Sequence, residues 1–161
     1  MDTESILREL TKYIFIGVVS QYGEKPGTVI VTRPDQDNRT TAELYIVSRG
    51  TKETKDYWMP VIDDQVLCLL LPNVSGKGPS TGYVLGAIYS ETDRLPTGAE
   101  PSAIILDHPG DMVLNIGGTF RVNAGTLDVH GGGDVVASGI SLVKHVHGEV
   151  MPGSSDTGSP H

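Results

Sequence analysis

The chain has 161 residues, room for one ordinary domain or for a small domain with an appendage. Hydrophobic residues make up 38%, and 12 Lys plus Arg face 20 Asp plus Glu, a formal net charge of −8. Neither wholesale disorder nor a membrane protein fits that balance, and an acidic surface argues against a protein whose main task is to hold phosphate backbones.

The few lysines form no basic patch: Lys52, Lys55 and Lys77 are scattered among acids. The single cysteine, Cys68, sits in the apolar run "VLCLLLP" and reads as a small core residue. No disulfide within the chain is possible, which fits synthesis in a reducing cytoplasm. The start, "MDTESILREL", is acidic and has no apolar signal-peptide core. The longest apolar run, Val66 to Leu71, is far short of the ~20 residues a spanning helix needs.

Residues 1–14 predict a short helix. Ile6, Leu7, Leu10 and Ile14 share one helical face, and Asp2 or Thr3 supplies a cap. From 15 to 90 the pattern becomes that of strands: "IFIGVVSQY", "GTVIVTRP", "TAELYIVSR", "YWMPV", "DQVLCLLLP" and "GYVLGAIYS". Gly, Pro, Asn and Asp punctuate them. So many short strands in so few residues predict a small barrel, with an OB-fold as the leading form. Residues 91–102, containing "ETDRLPTGAEP", are polar and hold two prolines, a linker composition.

From 103 to 147 short strand-like pieces recur, such as "DMVLNI", "TFRVNA", "TLDVH", "DVVAS" and "ISLVKH", with glycines between most of them. The chain's 20 glycines, about 12% against a usual ~7%, concentrate in this half. Apolar residues alternate within the pieces: Met112, Leu114, Ile116; then Phe120, Val122, Ala124; then Leu127, Val129; then Ile140, Leu142. Strands this short cannot enclose a core alone and must stack or associate. Three intertwined chains bring the alternating apolar residues onto a shared axis; a meander of an ordinary β-sandwich is the plainer alternative.

His145 and His147, in "SLVKHVHGEV", form an i, i+2 pair. On a strand they project from one face, with Cα atoms about 7 Å apart, and two neutral imidazoles can grip one metal. The ordinary alternative is a pair of solvated strand-end histidines. Two ligands fall short of a stable site, but three chains would contribute six nitrogens around an axis, an octahedral set that points away from zinc to iron or another octahedral metal. His108 and His130 sit at glycine turns and His161 is the last residue; all three read as solvent-facing.

Other motifs fail. "SGKGPST" lacks phosphate-loop spacing, "GGGDVVASG" is not followed by a helical pattern, and no nucleophile elbow is present. No carboxylate pair lies in apolar surroundings, as general acid/base work requires.

The order of these parts resembles the baseplate assembly protein V family of contractile phage tails, the membrane-piercing spikes. "YWMPVIDDQVLCLLLPNVSGKGPSTGYVLGAIYS" looks like that family's W-x-P, D-x-V-x-V and G-x-V-L-G succession. More specific is "GISLVKHVHGEVMPGSSDTGSPH", which is similar to the family's S-L-x-x-H-x-H-G, a glycine-rich loop, then T-G-x-P.

The resemblance implies an all-β chain: an N-terminal OB-fold, then an intertwined trimeric triple-stranded β-helix over 103–147, then a pointed, metal-bound tip with loop residues 148–161. It implies one iron per homotrimer, held by His145 and His147 of each chain. It also implies a virion component at the baseplate end of the tail tube, assembled in the host cytoplasm. The barrel would dock on a tail hub protein, and the host outer membrane would be the mechanical target. Larger relatives insert a lysozyme domain between barrel and needle. The linker has no room for one, so no enzyme is expected; the −8 charge and the single tryptophan, Trp58, speak against a nucleic-acid partner. A metal-dependent hydrolase of envelope glycans is the competing function; it needs an open metal position and a nearby base.

Overall fold

A computed structural model describes residues 2–73, 75 and 80–145. The chain divides into two compact units, Met1–Pro109 and Gly110–His161. Among the described residues no helix is long and apolar enough to cross a membrane.

The first unit opens with helix α1, Thr3–Tyr13. Asp2 is its N-cap, its carboxylate accepting the Ser5 N–H at 2.8 Å, and the bond holds the Asp2 carboxyl below its ordinary pKa. The helix ends where Ile14 turns extended (φ −123°, ψ 120°) and begins the first strand without an intervening loop.

Strands β1 (Ile14–Tyr22), β2 (Thr28–Arg33), β4 (Leu44–Ile46), β5 (Gln65–Leu71) and β6 (Thr81–Ala87) close a five-stranded barrel, and the two-residue β3 (Arg39–Thr40) pairs outside β2. The cyclic order is β1-β2-β4-β6-β5. All pairs are antiparallel except β4–β6. This connectivity is compatible with an OB-like barrel.

Strand alternation explains the core. On β1, Phe15, Gly17 and Val19 face inward while Ile14 and Ile16 face out. Phe15, Val19, Val29, Val31, Leu44, Val66, Cys68 and Val84 form one buried cluster, with Ile46, Trp58, Met59 and Leu70 packed on it. Each such side chain contributes on the order of 1.5–3 kcal/mol by leaving water. Gly17 is required by closeness: a Cβ there would collide with Val31 Cγ1 and lie 2.8 Å from the Thr32 carbonyl oxygen. β1 and β2 can approach only because that position is bare.

The segment "YWMPV" forms no strand. Trp58 instead donates its indole N–H to the Val47 carbonyl at 2.9 Å, and Pro60, fully buried, has no N–H for a ladder.

In the second unit the only strands among the described residues are β7 (Val136–Ala137) and β8 (Ile140–Ser141). Ser138 (φ 52°) and Gly139 (φ 82°) connect them, both left-handed, as a two-residue type I′ hairpin requires. The pieces expected as strands between 110 and 135 have no ladder among the described residues. Every described residue from 110 to 145 is exposed except Ser141, which is half-buried.

Candidate metal centre and apex segment

The hairpin leads into the segment that carries the histidines. Ser141 organises it: its hydroxyl accepts the Lys144 N–H at 2.6 Å, and its carbonyl accepts the His145 N–H at 3.2 Å. Asp134 reaches across to accept the Val143 N–H at 3.1 Å, while Leu142 N–H bonds the Val135 carbonyl at 2.8 Å. The Asp134 carboxyl is held below its usual range, chiefly by the Ser141 side chain and then by backbone N–H groups. These bonds wrap residues 142–144 into a turn within "ISLVKH", the piece read from the sequence as strand-like.

The His145 side chain is exposed, and its Nδ1 lies 2.9 Å from the Ser141 carbonyl oxygen and 3.1 Å from that of Leu142. A carbonyl can only accept, so Nδ1 is the nitrogen that donates. A ring oriented in this way through its other nitrogen suits metal ligation, so His145 fits the iron that the family resemblance implies. His147, the second expected ligand, lies outside the described residues.

No group of three or more His, Cys, Asp or Glu among the described residues could hold a metal. His130 is instead paired through Nε2 with Asp128 at 2.8 Å, and both are exposed. His108 is exposed, and His161 lies outside the described residues. Cys68 is excluded as a ligand or nucleophile: burial pushes its thiol up to about 12.

Sequence reasoning missed Arg33. It is buried, stacks its guanidinium 3.8 Å from the Phe15 ring centre, and pairs with Asp35 at 2.7 Å. It also donates to the Thr11 and Lys12 carbonyls at 2.8 and 3.4 Å, satisfying the open end of α1. Its guanidinium holds the Asp35 carboxyl low. The available signal was parity: Arg33 continues the inward series Val29, Val31 on β2.

The segment that the hairpin leads into is matched at residues 139–160 by a family model described as the GpV Apex motif, which suggests a phage spike or tail-tip protein. That match supports the phage baseplate assembly protein V spike family for this chain. The family consists of structural tail proteins rather than enzymes, and it implies a virion component. No curated protein matches the chain.

Proposed function

We propose that the chain is the central spike of a contractile phage tail or phage-like particle. It caps the tail tube at the baseplate hub and punctures the host envelope, at the outer membrane, when the sheath contracts. The carrying observation is the exposure of residues 110–145 in a single chain: Met112, Leu114, Ile116, Phe120, Val122, Leu127 and Val129 recur at every second position within their pieces, yet none is buried. A soluble protein leaves so long an apolar series open only where a partner covers it. Three chains wound into a β-helix cover the series and satisfy the unpaired backbone between copies.

Toward the point the cross-section becomes too narrow for an apolar core. Iron held by His145 and His147 of three chains supplies coordinate bonds there instead. This chain's own contribution is to orient the His145 ring through Nδ1 and to turn the backbone at residues 142–144. The alternating apolar residues supply stiffness, and no chemical step is needed for a mechanical point.

Native mass and elemental analysis of one sample test both claims. The expected result is a trimer with about one iron per three chains. A clean monomer would overturn the spike. His145→Ala combined with His147→Ala is expected to remove the iron; retention of full iron content would show the ligands to be elsewhere.

A further inference from the structure

The barrel has an outer face without charge. Ile14 on β1 pairs with Leu69 on β5, Leu69 with Tyr83 on β6, and Tyr83 with Tyr45 on β4, an apolar row across four adjacent strands. Ile16 pairs with Leu67 in the next row, beside Leu85, the extra residue of a β6 bulge. The residues of these strands from Ile14 to Val18, Leu44 to Ile46, Gln65 to Leu71 and Thr81 to Ala87 include no Asp, Glu, Lys or Arg. Ile14, Ile16, Tyr45, Leu71 and Leu85 are each 40–53% exposed.

The same chain carries a matching surface. Ile6, Leu7 and Leu10 line one side of α1 and are 52–56% exposed, and the helix has no buried residue. An isolated helix of this length is marginal in water and draws its stability from a covered apolar stripe. Its own barrel does not provide that cover. α1 touches β1 and β5, but it passes into β1 at Ile14 with no loop in which to fold back, and Arg33 clamps its last turn.

We propose that α1 of one copy lies across the outer face of β1, β5, β6 and β4 of a neighbouring copy, so that three barrels close a ring, helix to sheet. This rests on the trimer proposed above. A contact between two different surfaces leaves both ends unsatisfied in an open chain and satisfies all of them when the ring closes. At roughly 100 Å² for each half-exposed large side chain, three helix residues of one copy and five sheet residues of the next bury about 800 Å² in total at each contact, about half a standard interface, a size suited to chains already joined through their second units rather than to a free pair.

The test uses the full chain with Ile16→Cys as reporter, since Cys68 is buried and its thiol stays protonated at neutral pH. In the trimer, maleimide labelling of the reporter is expected to be slow, and Leu7→Glu with Leu10→Glu is expected to speed it at least ~10-fold while the native mass stays trimeric. Labelling at the rate of a free thiol in an intact trimer overturns the ring and leaves the trimer standing; it is also the result expected if a different protein covers this face. A monomeric native mass overturns both. As a second measurement, Leu10→Cys with Ile16→Cys is oxidised and run on a denaturing gel. A ladder ending at the trimer is expected, and a product joined only within one chain overturns the proposal.

Discussion

The two units use the same device, alternation of apolar and polar residues, to opposite ends. In the barrel the alternation closes on itself: Phe15, Val19, Val31 and Val84 meet inside a single chain. In the second unit Phe120, Val122, Leu127 and Val129 are all exposed. The difference is strand length and closure. Strands β1, β5 and β6 have 9, 7 and 7 residues and form a cycle, whereas β7 and β8 have two residues each and form one hairpin. A periodic pattern therefore states which face is to be covered, and not by which chain.

The sharpest way to break this contrast is a matched pair of truncations. Leu44→Ala removes a side chain that is 1% exposed and is expected to cost the barrel about 2–5 kcal/mol in urea unfolding followed by Trp58 fluorescence. Phe120→Ala is expected to leave that transition in place and to lower the temperature at which the proposed trimer dissociates. If Phe120→Ala unfolds the barrel instead, the units are not independent. Next in size is Arg33→Ala, which strips α1 of two carbonyl contacts and Phe15 of its cation, an expected loss of about 2 kcal/mol in the same assay.

A smaller gain tests the hairpin. Ser138→Asn places a residue better suited to the left-handed region before Gly139 and is expected to stabilise the second unit by about 0.5 kcal/mol, read as a later thermal dissociation of the trimer. The smallest effect is on pH. The Asp35 carboxyl titrates lower in the folded barrel than its ordinary 3.8 because Arg33 bonds its charged form. Its contribution is present above pH 3.8 and is lost as pH falls through the lower folded value. Asp35 is 43% exposed, so solvent screening leaves about a few tenths of a kcal/mol. Asp35→Asn is expected to flatten that acid slope in unfolding measured between pH 5 and pH 2.

Much of the barrel was legible. The segments "IFIGVVSQY", "GTVIVTRP", "DQVLCLLLP" and "GYVLGAIYS" contain β1, β2, β5 and all of β6 but its first residue, because each is short, apolar or β-branched, and bounded by turn residues. "TAELYIVSR" shortens to β4, and "YWMPV" is no strand, because Pro60 and the Trp58 indole bond take the backbone out of any ladder. Arg33 was overlooked because composition treats arginine as surface; parity on β2 pointed inward, but its partners belong to a helix end 22 residues away. In the candidate metal centre the histidine motif was legible but its local backbone was not. Spacing predicted a strand, and the turn at 142–144 depends on Asp134 and Ser141 acting together across a hairpin.

The parallel pairing of β4 with β6 has a kinetic consequence. Tyr45 and Tyr83 lie 38 positions apart in the chain, so the barrel closes only after a large loop has been drawn together. That step is unimolecular, and its rate is independent of how much protein is present. The three-chain association proposed for the second unit would depend on concentration. Dilution on refolding therefore separates the two events in time: barrels return at a fixed rate, while assembled points appear later the thinner the solution.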